Sequence, residues 1–313
     1  MAKNQLPIEQ IDVSHCLRVE FTQSIIHSLI NKRLSINLIG EKGTGKTRLL
    51  EDIVDCKLPD TVIVFVNLKS YVNNYRGLVR EIHRQLGLNK EIPERLDQLF
   101  EGLEKQSVRY LVFLDNYDAL LDNPGNDEGY DVNFFDDLNF IKNKDNICLV
   151  CTTCQPHNSQ PVFINKKSYR NSWLTLEKEM LPTLTRNQIL QELERQVDEY
   201  NWQQLKSNLD EKELLLEYIL EHPLPYPRLC FLAGKFNKKI DEEIDIKFKK
   251  RLDKWVDEFD MLNKISVDKK IHLFKTWIDR KRIVTGIKKL KIPAIIAALI
   301  TAIWILIKKK CGI

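Results

Sequence analysis

The chain has 313 residues, of which 43% are hydrophobic and 29% charged, a balance that supports a buried core and excludes general disorder. Its opening, MAKNQLPIEQ, lacks the apolar run of a signal peptide, and seven cysteines without a paired framework fit a reducing compartment rather than a disulfide scaffold. The net charge of +4 is uneven: residues 264–313 hold thirteen Lys/Arg against two Asp/Glu, so a basic end follows an acidic body.

In chain order, residues 1–34 are expected to form a helical lead-in. Five β-rich apolar runs then read as strands: SINLIG (35–40), TVIVFVNL (61–68), YLVFLD (110–115), NICLVCTT (146–153) and SWLTL (172–176). Helix-like stretches, YRGLVREIHRQLGL and PERLDQLFEGLEKQ, lie between the early ones. That alternation predicts an α/β fold, a parallel sheet sandwiched by crossover helices over 35–181. From 182 to 240 the strands stop, and LTRNQILQELERQVDEY, NLDEKELLLEYILEH and YPRLCFLAGKF predict a helical subdomain whose first helix is capped by Thr185. Residues 241–291 read as a charged helical linker that becomes basic, 292–307 as an apolar segment, and 308–313 as a short basic tail.

The strongest motif is GEKGTGKT, residues 40–47, which fits G-x-x-x-x-G-K-[ST] between a strand and a helix. Gly40, Gly43 and Gly45 let the backbone of Glu41, Lys42 and Thr44 curl so that its N–H groups face phosphate oxygens at a helix N-terminus. Lys46 would reach the β and γ phosphates of ATP, and Thr47 would ligand Mg²⁺. Asp115, at the end of its strand, reads as the second Mg²⁺ residue. The strand ending in Thr152 and Thr153 is expected between the other two, the arrangement of additional-strand P-loop proteins, with its polar tip toward the γ-phosphate. After Asp115 a hydrolytic ATPase usually has Glu, but here stands Asn116, which can orient a water and cannot take its proton. General-base assistance is worth roughly 10²–10⁴-fold, so slow hydrolysis is expected unless Asp118 substitutes.

Together LINKRLSINLIGEKGTGKT, YLVFLDNYDALL, LVCTT and HPLPYPRLCFLAGKF resemble the AAA+ and STAND superfamily of P-loop ATPases over residues from about 15 to 240. The origin-recognition-like and secretion-ATPase-like single modules are the most similar branches. The resemblance implies a sensor role for Thr152 or Thr153, a lid arginine at Arg228, and an arginine finger for a neighbouring subunit at Arg170. The CQPHN that follows the sensor threonines lacks the arginine common in STAND proteins.

Cys148, Cys151 and Cys154 are spaced like part of an iron–sulfur run, but a fourth cysteine is missing and strand residues three apart point to opposite faces, so core packing is expected. The histidines show no ligand spacing, and no metal beyond Mg²⁺ is expected. Residues 292–307 are uncharged and bracketed by Lys288, Lys289, Lys291 and Lys308 to Lys310. Sixteen residues fall just below the span of about 17–25 that a membrane helix takes, and flanking lysines can snorkel. A single-pass anchor with the ATPase body in the cytoplasm is expected, preceded by a basic amphipathic stretch containing Phe274, Trp277 and Ile278 that suits an anionic surface. The expectation is a membrane-anchored, nucleotide-dependent switch or assembly ATPase, self-associating or engaging a protein partner. A nucleic-acid ATPase of origin-recognition or transposition type is one alternative, disfavoured by the acidic body; a non-hydrolysing membrane scaffold is another.

Overall fold

The computed structural model describes residues 11–264 apart from 122, 124, 160, 165–166, 170–173, 208, 223 and 238–247. Helix α1 (Val19–Ile30) leads to β1 (Ile36–Ile39), α2 (Lys46–Asp55), β2 (Thr61–Asn67), α3 (Tyr75–Gln85) and β3 (Arg109–Asp115). A short α4 (Asp118–Leu121), α5 (Val132–Lys142), β4 (Ile147–Thr153), the hairpin β5 (Val162–Ile164) and β6 (Lys167–Tyr169), and β7 (Glu177–Met180) follow. Five strands make one parallel sheet in the order β2-β3-β4-β1-β7, so β4 separates the loop-bearing β1 from the Asp115 strand as expected.

Both faces of the sheet are covered, which is why β3 and β4 read as continuous apolar runs. Leu111, Phe113, Cys148 and Val150 pack with Ile26 and Leu29 of α1 and Leu49 and Ile53 of α2. Val112, Leu114, Leu149 and Cys151 pack with Leu78 and Ile82 of α3 and Phe134 and Leu138 of α5 on the other side. Cys148 and Cys151 thus fall in opposite layers, as strand periodicity requires.

Beyond the sheet stand α6 (Arg186–Gln196), α7 (Glu199–Ser207), α8 (Leu209–Leu220) and α9 (Pro225–Phe236). Thr185 accepts from the Gln188 N–H while the Gln188 side chain accepts from the Thr185 N–H, a complete capping box. A final helix, α10 (Phe248–Lys264), is the described part of the expected 241–291 linker. The chain divides into two compact units after Leu252.

Two expectations are corrected. The fifth strand is Glu177–Met180, directly after the SWLTL segment: Leu174 and Leu176 are buried in the core, whereas β7 presents Glu177, Lys178 and Met180 to solvent and is held by main-chain pairing to β1. A charged edge strand needs no apolar pattern and resists pairing with another sheet. The PERLDQLFEGLEKQ segment holds two single 3₁₀ turns, Asp97–Leu99 and Leu103–Lys105, instead of an α-helix. Gly102, at φ 81°, interrupts the run, and its helix-spaced Leu96, Leu99, Phe100 and Leu103 serve as anchors for a connecting loop.

No helix among the described residues is long and apolar enough to cross a membrane. The expected span at 292–307, the basic stretch before it, the 308–313 tail and Arg170 lie outside the described residues.

Candidate nucleotide site

The loop between β1 and α2 turns on two glycines in the left-handed region, Gly43 at φ 77° and Gly45 at φ 92°. A side chain would be strained at either position, and a Cβ on Gly43 would also stand 2.7 Å from Leu224 Cδ2. Helix α2 starts at Lys46, so its unpaired N–H groups and positive dipole end open where the loop closes. Lys46 folds back on this loop and donates to the carbonyls of Gly40 (2.6 Å) and Glu41 (3.0 Å), while Thr44 Oγ1 donates to the Glu41 carbonyl at 2.8 Å.

Asp115 is buried at the tip of β3 and gathers three donors: Thr47 Oγ1 at 2.9 Å, Thr152 Oγ1 at 2.6 Å and Asn116 Nδ2 at 2.8 Å. Thr47 and Asp115 therefore meet although 68 residues separate them in the chain. A hydroxyl beside a carboxylate is a hard oxygen pair suited to Mg²⁺, whose remaining positions go to water and phosphate. Thr152 Oγ1 donates to Asp115 and also accepts from the Asn116 N–H at 2.8 Å. Thr153 points elsewhere, accepting from Asn37 Nδ2 at 2.8 Å, and both threonines are fully buried.

Asn116 occupies the left-handed region at φ 56°, a conformation Asn tolerates better than most residues. Its amide donates to Asp115 and to Asn67 Oδ1 (3.2 Å), which holds it across the ends of β2 and β3. Asp118 accepts from the Cys154 N–H at 3.3 Å. Asn116 and Asp118 both face a cavity of about 890 Å³, together with Lys42, Gly43, Gly45, Lys46 and Thr47 from the loop and Tyr226 from α9. Its size and its mixture of a basic loop with two carboxylate or amide tips suit a phosphorylated ligand of nucleotide size.

Helix α9 reaches this cavity directly. The Tyr226 N–H donates to the Gly43 carbonyl at 3.3 Å, and Leu224 packs on Gly43. Arg228 lies one turn further on; it is buried, donates to the Tyr218 carbonyl at 2.7 Å and stands over the Tyr218 ring, within the helical subdomain. Behind the loop a charged cluster joins the same parts. Arg48 of α2 pairs with Asp52 (3.0 Å) and lies 3.8 Å from Glu192 of α6, which also takes Arg195 at 2.9 Å. Burial pushes the Asp52 carboxyl up, and the Leu17 N–H and Arg48 pull it back.

Arg18 is the functional candidate that sequence reasoning missed. Only 2% exposed, it donates to the Thr44 carbonyl at 2.7 Å and to the Pro182 carbonyl at 3.1 Å, tying the nucleotide loop to the entry of the helical subdomain. Burial lowers its pKa to about 10, which leaves it charged at neutral pH. A cation at the N-cap of α1 opposes the helix dipole, and that misfit was its only local signal.

The parallel sheet, the loop between β1 and α2, and the Thr47–Asp115 pair define an α/β domain of the P-loop type. Residues 30–157 match the family model described as AAA domain. None of the curated proteins matches the sequence. Among solved structures, the Walker-type ATPase paby2304 of Pyrococcus abyssi is 13% identical with a TM-score of 0.52, over 98% of this chain and 91% of that one. The Aeropyrum pernix ORC1 protein in complex with DNA is 16% identical with a TM-score of 0.50, over 96% and 84%. A chain in the structure of Drosophila ORC bound to DNA is 17% identical with a TM-score of 0.48; the match covers 69% of this chain and 60% of that longer one.

Proposed function

We propose that the protein is a membrane-tethered, ATP-dependent switch of AAA+/STAND type that binds Mg²⁺–ATP and hydrolyses it slowly. The observation that carries this reading is Asn116. The position after the Asp115 carboxylate faces the cavity with an amide already engaged by Asp115 and Asn67, so the site has phosphate- and metal-binding groups but no glutamate base there. Lys46 would leave the loop carbonyls for the β and γ phosphates, while Thr47 and Asp115 would hold Mg²⁺, which neutralises phosphate charge. Asp118 is the carboxylate left to accept a proton from water.

The contact of Leu224 and Tyr226 with Gly43 supports nucleotide-dependent movement of the helical subdomain, since phosphate entering the loop must alter that contact. The partner would be a second copy, with Arg170 as its finger, or another protein at the membrane. Tethering rests on the sixteen uncharged residues at 292–307 and the lysines that flank them. The test is ATP binding by the full chain and by Lys46→Ala, with sizing in the presence and absence of ATP. Loss of binding in the variant and an ATP-dependent size change are expected; equal affinity in both proteins would remove the basis of this function. Retention on DNA that falls steeply with salt would instead support a nucleic-acid ATPase.

A further inference from the structure

Away from the cavity, the fold brings three soft metal ligands together where the lead-in meets the C-terminal end of α2. His15, Cys16 and Cys56 present ligand atoms that all lie within 4.8 Å of one another. Cys16 Sγ is 3.8 Å from Cys56 Sγ and 3.7 Å from His15 Nε2. Around a tetrahedral Zn²⁺, with Zn–S ~2.3 Å and Zn–N ~2.0 Å, two thiolates stand ~3.8 Å apart and a thiolate and an imidazole nitrogen ~3.5 Å apart. The two edges through Cys16 therefore need almost no adjustment to receive the ion. Forty residues separate the cysteines, which is why spacing in the sequence gave no hint of the triple.

The surroundings suit a cation. Cys56 is the C-cap of α2, where helix carbonyls carry partial negative charge, and the Asp52 carbonyl lies 3.3 Å from His15 Nε2 and 3.2 Å from Cys56 Sγ. Cys16 is buried, whereas His15 and Cys56 are half-buried, so the site has a closed side and an open side for a fourth ligand from water. Two thiolates would cancel the charge of the ion, leaving no net charge under cover.

We infer that His15, Cys16 and Cys56 form a binding site for a soft divalent transition ion, Zn²⁺ foremost, that pins the lead-in segment to the nucleotide-loop helix. Binding forms two Zn–S bonds and one Zn–N bond and releases the two thiol protons to solvent, with no oxidant or reductant involved. The pinned segment continues straight into Leu17, whose N–H donates to Asp52, and Arg18, which holds the Thr44 carbonyl. Metal occupancy would thus stiffen the loop from behind. The site itself does not depend on the nucleotide reading, because metal binding is measured without nucleotide.

The experiment uses the full chain, reduced and stripped by a chelator, titrated with Co²⁺ and then Zn²⁺. One equivalent of Co²⁺ should produce a thiolate-to-metal charge-transfer band and tetrahedral d–d bands, both removed by Zn²⁺, with proton release on binding. Cys16→Ser and Cys56→Ser should each weaken Zn²⁺ affinity roughly tenfold or more, as loss of a metal-site partner commonly does, while Cys230→Ser leaves it unchanged. Circular dichroism of the metal-free variants separates ligand loss from misfolding. Absence of the charge-transfer band in the wild-type chain overturns the inference, as does full Zn²⁺ affinity in a folded Cys16→Ser/Cys56→Ser double variant.

Discussion

At the scale of single residues, the proposed slow hydrolysis rests on Asn116. Asn116→Glu should raise steady-state phosphate release severalfold by supplying a base, since general-base catalysis contributes roughly 10²–10⁴-fold at most. The same change places Glu at φ 56° and should cost about 1 kcal/mol of stability, visible as a lower Tm. An unchanged rate would mean that another residue, Asp118 first, already serves as base. Arg18→Met removes donors from the Thr44 and Pro182 carbonyls, and leaving these unmet should cost about 1–3 kcal/mol and weaken ATP binding. Undisturbed affinity in that variant would show that the loop holds its shape without Arg18. The contrast between these residues also explains what was legible in the sequence. Lys46 and Thr47 belong to one contiguous motif, and Asp115 ends an apolar run, so all three could be read directly. Arg18 and the His15, Cys16 and Cys56 triple gain meaning only from tertiary contacts that no local period encodes.

At the scale of elements, the link between α2 and α6 holds the helical subdomain against the sheet domain. Glu192 is buried and takes Arg195, lies near Arg48, and accepts from Gln196 at 2.6 Å. Glu192→Ala should cost on the order of 1–3 kcal/mol by leaving those donors poorly paired. It should also speed amide hydrogen exchange in α6 and α9 more than in β3 and β4, because local opening samples the least secured element. Uniform acceleration throughout the chain would contradict a hinge-like role and indicate general destabilisation. Elements buried on both faces, such as β3 and β4, announced themselves by unbroken apolar runs. Strand β7 did not, since its charged side chains face solvent and its place depends on main-chain pairing with β1. The loop around Leu96 to Leu103 carried helix-like spacing because its anchors fill a core, and Gly102 redirected the backbone.

At the scale of the whole molecule, an acidic body, a basic end and an uncharged run at 292–307 are the basis of the proposed membrane tether. Full-length protein should stay with membranes through high-salt and alkaline carbonate washes, and a chain ending at Gly286 should be soluble or released by salt. Recovery of the full chain in the soluble fraction without detergent would remove the tether. The central claim concerns the lifetime of bound ATP, and one measurement addresses it directly. With saturating Mg²⁺–ATP, the nucleotide retained on the protein is identified over time while phosphate release is followed in the same sample. The account predicts about one bound nucleotide per chain, mainly ATP, with phosphate release slower than nucleotide exchange; rapid turnover that leaves ADP as the bound species, or no retained nucleotide, would contradict it.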